Sequence, residues 1–134
     1  VFYVQYAYAR IHSVIRNWND ENNLDFISEF NKLDSDFNIL NHPQEINLIK
    51  KMSYFPILLK NVVATNDVHR IAFYLHELAS DFHALWNIGN DNENMRFITN
   101  DDTKTFQRLS FIYLVSQIIE RGLDLLGVSY PEKM

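Results

Sequence analysis

The stretch IAFYLHELASDFHALWNI, residues 71–88, decides the fold class. Its large apolar residues recur at the spacing of one helix face, which consists of Ile71, Leu75, Leu78, Phe82 and Leu85. Trp86 flanks that face. Asn66 or Asp67 is a suitable cap before the segment, and Gly89 is a suitable end after it. The pattern predicts a buried helix within a helical domain.

The rest of the chain shows the same periodicity. It predicts four more helical segments, at about 2–17, 43–54, 57–63 and 103–126. Pro56 lacks an amide donor, so it breaks or kinks the chain between two of them. The last segment is apolar nearly all round and is expected to be the central, most buried helix, ending near Gly122 and Gly127. Because the chain has only three Gly and three Pro, we expect an all-α bundle of about five main helices.

Residues 18–45 differ from the rest in charge. Seven acidic residues and one Lys fall between positions 20 and 45, although the whole chain has a net charge of only −5. The remainder is therefore close to neutral. The segment's apolar residues predict a short helix or two, loosely packed: Leu24, Phe26, Ile27, Phe30, Leu33, Phe37 and Leu40. We interpret the segment as an insertion within a single domain spanning 1–134.

Several functional classes are excluded or disfavoured by composition. Without cysteine there is no disulfide, zinc thiolate or cysteine nucleophile. No apolar run approaches the roughly 20 residues of a membrane span, and no signal peptide precedes the first helix, so we expect a cytoplasmic domain. The absence of an initial Met, and the start inside a periodic segment, suggest a piece of a longer chain.

No constellation typical of catalysis or metal binding is found. His69, His76 and His83 recur every seven residues. Seven residues correspond to a rise of about 10 Å, which is too far for two ligands of one ion. We therefore interpret the three histidines as a half-solvated stripe and expect neither catalytic residues nor a metal site.

The first predicted helix carries two stripes. Its core face consists of Val4, Ala7, Tyr8, Ile11, Val14 and Ile15, and the second stripe consists of Tyr3, Tyr6, Arg10, Ser13 and Asn17. The second stripe has two interpretations. It is either a set of half-buried tyrosines with a solvated arginine, or a face whose rings stack on RNA bases while its guanidinium binds phosphate or a base edge. For Phe82 and Trp86, four residues apart, the helical wheel favours core packing, with part of the Trp86 ring open at the helix end.

Two ends of the chain resemble a known family. VFYVQYAYARIHSV (1–14) resembles the opening of the C-terminal, DALR-type anticodon-binding domain of arginyl-tRNA synthetase, aromatic-V-Q-Y-A-H-A-R, with Tyr8 in place of His. RGLDLLGVSYPEKM (121–134) is similar to that domain's terminal G-L-x-L-L-G-x-x-x-P-E-R-M, with Lys133 in place of Arg. Residues 71–86 are similar to its I-A-x-Y-L-x-x-L-A-x-x-F, although the literal tetrapeptide DALR is absent.

The resemblance covers about 1–17 and 48–134, and it leaves 18–45 as a lineage-specific acidic insert. In that family the equivalent side chains meet the anticodon stem-loop. The residues that the resemblance places there are Tyr3 and Tyr6 on the loop, Arg10 on phosphate or a base edge, Phe82 and Trp86 beside the anticodon bases, and Met134 packed against the loop.

Two functions follow as hypotheses. The first, implied by the resemblance, is recognition of the tRNA(Arg) anticodon stem-loop as part of an arginine–tRNA ligase. Its catalytic domain would lie upstream and use ATP and Mg²⁺, while this portion would be non-catalytic and need no cofactor. The alternative is a helical protein–protein interaction module that binds no RNA. A DALR-type domain of another synthetase is disfavoured by the two chain ends.

Overall fold

The structure is a computed structural model that describes residues 1–32 and 38–134. The regular elements in these ranges are all helical: α1 (Phe2–Asn22), α2 (Phe26–Lys32), α3 (Pro43–Ser53), α4 (Phe55–Thr65), α5 (His69–Asp91), a 3₁₀ turn (Glu93–Met95) and α6 (Asp102–Leu126). Five of these helices span three turns or more, and α2 is shorter. The prediction of an all-α bundle with about five main helices is confirmed.

Local sequence signals explain the boundaries of α3. The His42 Nδ1 atom accepts a hydrogen bond from the backbone N–H of Gln44 at 3.0 Å, and the Glu45 carboxylate accepts one from the backbone N–H of His42 at 3.1 Å. Pro43 occupies the first helical turn, where its missing donor costs nothing. The chain turns and α4 begins directly before Pro56, so the predicted break between these two helices is confirmed.

The predicted cap of α5 is wrong by one or two residues. Val68 occupies the N-cap position, and its side chain makes no capping hydrogen bond. Instead, Oδ1 of Asp67 accepts a hydrogen bond from the backbone N–H of His69 at 3.2 Å. Asn66 has φ 57 and ψ 31, a left-handed conformation that terminates α4. The two polar residues therefore end one helix and support the start of the next.

Two glycines lie inside helices, where the sequence predicted helix ends. A Cβ on Gly89 would lie 3.1 Å from the carbonyl oxygen of Met95. A Cβ on Gly122 would lie 2.6 Å from the Leu75 side chain. Both glycines therefore permit close packing between elements while their helices continue. Gly127, with φ 71, is the glycine that does end α6.

The central position in the bundle belongs to α5. It contacts α1, α3, α4, α6 and the 3₁₀ turn. The prediction for α6 is half right, because α6 has more buried residues than any other described helix but is not the central one. One continuous core includes Ile11 of α1, Leu78 of α5 and Ile112 of α6.

The described part of segment 18–45 contributes Phe26 and Leu40 to the core, so the prediction of loose packing is wrong for these two residues. It holds for Leu24 and Ile27, which are exposed. Phe26 is fully buried against aromatic rings of α1 and α6. Leu40 is buried as well. The predictions for Leu33 and Phe37 lie outside the described residues. The lineage-specific origin of the segment stays a prediction.

Candidate nucleic-acid interface

The second stripe of α1 faces one edge of α5. The ring of Tyr3 lies 5.0 Å from that of His76 and 4.9 Å from that of His83, measured between centroids. Further along both helices, the guanidinium carbon of Arg10 lies 4.2 Å from the Trp86 ring centroid. Residue numbers increase in the same direction along this contact, so α1 and α5 run parallel here. The stripe is thus a half-exposed seam between two helices.

Arg10 is the best-defined polar group of this seam. Its guanidinium lies over two rings, 4.9 Å from the centroid of Tyr6 and 4.2 Å from that of Trp86. Its Nη1 atom lies 3.1 Å from Nδ1 of His83. No carboxylate among the described residues forms an ion pair with it. A guanidinium has five N–H donors, so most of those of Arg10 remain available to a ligand.

The C-terminal segment, residues 128–134, packs along α1 and completes the site. Nε2 of Gln5 donates a hydrogen bond to the backbone carbonyl of Ser129 at 2.8 Å. Nη1 of Arg16 donates to the backbone carbonyl of Glu132 at 3.0 Å. These contacts fix the direction of the segment, so that its last residue, Met134, reaches the seam with 53% of its surface exposed.

A cavity of about 420 Å³ opens where α1, α5 and the C-terminal segment meet. We call it the Arg10 groove. Its lining residues are Tyr6, Ala9, Arg10, Ser13, Arg16, Trp86, Glu132, Lys133 and Met134. Four of the six residues predicted for RNA binding are therefore brought together in one concave surface. Tyr3 lies nearby on the same seam, where 39% of its surface is exposed.

Trp86 also borders a second, smaller cavity of about 220 Å³. Polar side chains of Asn17, Asn90 and Arg96 line it together with apolar residues. Amide side chains both donate and accept hydrogen bonds. The half-buried Trp86 ring is therefore reachable from two adjoining cavities.

The structure does not place Phe82 at this surface. Its side chain is 0% exposed, and its ring lies parallel to that of Phe97, with centroids 6.0 Å apart. The ring of Trp86 packs beside it at 6.3 Å. The contact with RNA that the resemblance implied for Phe82 is therefore not available in this conformation, because the ring is in the core. The helical wheel predicted the core position of Phe82 correctly. Phe82 packs against the Trp86 ring from the core side.

His83 is a site residue that the sequence interpretation missed. The prediction of a half-solvated histidine stripe holds for His69 and His76, which are exposed, but only 8% of His83 is exposed. Burial lowers the pKa of His83, and the nearby Arg10 cation lowers it further, while the Tyr3 backbone acts in the opposite direction. The available signal was its position three residues before Trp86, which places both on one side of α5.

The local charge of the Arg10 groove differs from that of the whole chain. The charged side chains that line it are three bases, Arg10, Arg16 and Lys133, and one acid, Glu132. The chain as a whole carries a net charge of −5. The groove therefore combines a modest positive charge with aromatic rings, which suits a nucleic acid bound mainly by stacking.

Other kinds of site are not found in the described ranges. No group of three or more His, Asp or Glu side chains in residues 1–32 and 38–134 is placed to hold a metal ion. Within the same ranges, no helix combines the length and apolarity that crossing a bilayer requires.

Comparison with known proteins gives a match over almost the whole chain. Residues 4–134 match the family described as the DALR anticodon binding domain. The match includes segment 18–45, which the resemblance in the sequence had left aside.

Curated relatives point in the same direction. Proteins named arginine–tRNA ligase are similar to the entire chain: 44% identical over 134 residues in Cereibacter sphaeroides, 44% over 135 residues in Parvibaculum lavamentivorans and 42% over 135 residues in Bartonella henselae. The chain spans 23% of the length of each of these relatives. No solved structure is a significant match.

Proposed function

This chain belongs to the family of DALR anticodon-binding domains, and from that premise we propose that it binds the anticodon stem-loop of an arginine tRNA. The observation that carries the proposal is the Arg10 groove. It combines two aromatic residues, Tyr6 and Trp86, with a guanidinium that has no carboxylate partner among the described residues. Each component matches a known mode of RNA contact.

Stacking is the main source of affinity in this proposal. The bases of an anticodon loop are unpaired and turn outward readily. A base stacked on an aromatic side chain contributes about 1–3 kcal/mol. Trp86 borders both cavities, so it is the residue placed best to stack against a base.

Hydrogen bonding supplies the orientation. The guanidinium of Arg10 suits a phosphate or the edge of a base, because its planar donors can bind two acceptors at once. The amides of Asn17 and Asn90 in the smaller cavity both donate and accept. They are therefore suited to reading the edge of a base held against Trp86.

The role of the parent protein is part of the same proposal. The relatives named arginine–tRNA ligase are more than four times as long as this chain. The parent would use ATP and Mg²⁺ to attach arginine to its tRNA, in the cytoplasm, through a catalytic domain outside this chain. The present residues would contribute RNA recognition and contact with that domain.

A binding titration tests the proposal. The chain is titrated into a fluorescent stem-loop carrying an arginine anticodon, and into the same stem with a scrambled loop, at two salt concentrations. We expect the arginine loop to bind at least about tenfold more tightly than the scrambled one, with a moderate loss of affinity at higher salt. Equal affinity for both loops, or no binding, would refute the proposal and favour the protein-interaction module.

A further inference from the structure

We propose that His83 is the positioning residue of Arg10, and that it holds the guanidinium in the orientation that binds RNA. The inference rests on the proposed RNA binding. It assigns to His83 a hydrogen-bonding function that neither the family match nor the relatives specify.

The direction of the hydrogen bond follows from the two partners. Arginine stays protonated and has only donors, so the 3.1 Å contact between Nη1 of Arg10 and Nδ1 of His83 requires an acceptor at Nδ1. The imidazole is therefore neutral, with its proton on Nε2. That nitrogen is buried without a hydrogen-bond partner of good geometry among the described residues.

Two kinds of contact define the orientation of the guanidinium. The rings of Tyr6 and Trp86 set its distance from the helices, but such contacts leave it free to rotate. The bond to His83 removes that freedom. The imidazole itself is held by ring contacts at 4.9 Å with Tyr3 and 5.6 Å with Tyr6. Ordering the guanidinium before the RNA arrives lowers the entropic cost of binding.

Protonation of His83 would abolish this arrangement. The ionisable groups on the face of α1 that it meets are Tyr3, Tyr6 and Arg10, and His76 shares its contact with Tyr3 on α5. On the far side of the groove, the C-terminal segment adds one acid and one lysine, Glu132 and Lys133. A cationic imidazole loses its acceptor and repels Arg10.

Substitutions at two histidines test the proposal. His83→Leu removes the acceptor, whereas His83→Asn keeps an amide oxygen near the position of Nδ1. His76→Leu is the matched control, because His76 also contacts the Tyr3 ring. We expect His83→Leu to weaken binding of the arginine stem-loop about tenfold. The other two variants should stay within about threefold of the original chain.

A double variant of His83 and Arg10 shows whether His83 acts by positioning Arg10 or by stabilising the fold in general. In the double variant, His83→Leu should add almost nothing to the effect of Arg10→Ala, because the partner of the bond is already absent. Additive effects, or wild-type affinity of His83→Leu, would overturn the inference while leaving the proposed RNA binding intact. Failure of the unmodified chain to prefer the arginine loop would overturn both.

Two further measurements do not depend on how well His83→Leu folds. Nitrogen NMR of the imidazole at about pH 7.5 should show the tautomer protonated at Nε2, and the opposite tautomer would contradict the proposal. As the pH falls below about 6.5, to the point where the same NMR signals show His83 protonated, stem-loop affinity should fall more for the original chain than for His83→Asn, which cannot titrate there. Equal changes of affinity for the two proteins over that range would also contradict the proposal.

Discussion

The two ends of the α1–α5 pair present different surfaces. At one end, aromatic rings surround Arg10 beside the C-terminal segment. At the other end, a cavity of about 450 Å³ is lined mainly by apolar side chains. Phe73 borders it and is 73% exposed. Phe2, which lies between the lining residues Val1 and Val4 in the sequence, is 72% exposed. We call these the groove end and the apolar end.

Both ends expose aromatic residues, but in residues 1–32 and 38–134 the cation–π contacts lie at the groove end. There, Trp86 and Tyr6 each lie against the same guanidinium. At the apolar end, the described residues form no cation–π contact with Phe73. The two ends therefore differ in the cation held beside the rings, and the proposed RNA binding rests on that feature.

The largest effect is expected for Phe82, the core residue that packs beneath Trp86 at the groove end. Phe82→Ala should lower the free energy of unfolding by about 3–5 kcal/mol, because it leaves a cavity where the ring is fully buried. Urea unfolding monitored by circular dichroism measures the change. Phe73→Ala is the matched control and should change stability by less than about 0.5 kcal/mol. A small effect of Phe82→Ala would show that the ring is not part of the core.

Trp86→Ala at the groove end and Phe73→Ala at the apolar end together test which end binds RNA. Trp86→Ala should weaken binding of the arginine stem-loop by about 1–3 kcal/mol, through loss of a stacking surface, while helical content is retained. Phe73→Ala should leave binding unchanged. Fluorescence titrations of both variants measure the affinities. If the two substitutions weaken binding equally, the distinction between the ends is wrong.

Arg10→Ala should produce a smaller loss, with a distinct dependence on salt. Removing one phosphate contact is expected to reduce the slope of log affinity against log salt by about one. Lys60→Ala, an exposed residue of α4 outside the groove, removes the same charge and serves as the control. An equal change of slope in both variants would attribute the effect to net charge instead of position.

The smallest effect concerns the pH dependence of stability, through His83 and His12. His12 is a buried residue of α1 whose Nδ1 lies 3.9 Å from a carboxylate oxygen of Glu132, which lines the groove. Burial is the main cause that lowers the pKa of both His12 and His83 below the usual 6.5. The unfolded chain therefore binds more protons than the folded chain just below pH 6.5. The contribution of the two neutral histidines to the free energy of unfolding should be fully present above about pH 6.5 and decrease as the pH falls further. Urea unfolding at several pH values should show a flatter profile for a variant carrying His12→Gln and His83→Asn.

Local sequence signals were sufficient for most of the fold. Helical periodicity predicted the main helices, and Pro56 separated α3 from α4, because both effects act between residues that are close in sequence. The same locality placed Tyr3, Tyr6 and Arg10 on one stripe. The resemblance added Trp86 and Met134, which the structure brings to the same groove.

What the sequence did not predict depends on contacts between distant segments. The burial of His83 requires α1 to lie against the side of α5 that carries it. The contact partner there, Arg10, is 73 residues from His83 in the sequence. The path of the C-terminal segment depends on contacts such as that between Gln5 and Ser129, 124 residues apart. Gly122 was mistaken for a helix end because its close neighbour, Leu75, belongs to another helix. No periodic pattern within one segment reports such pairs.

The placement of Met134 at the rim of the Arg10 groove has a practical consequence for laboratory work. A purification tag or fluorescent protein fused directly after this residue would begin where RNA is proposed to enter. Attachment through the exposed side of α4, for instance at Lys60, would leave that entrance clear. Immobilised samples coupled in these two ways should therefore report different affinities for the same hairpin.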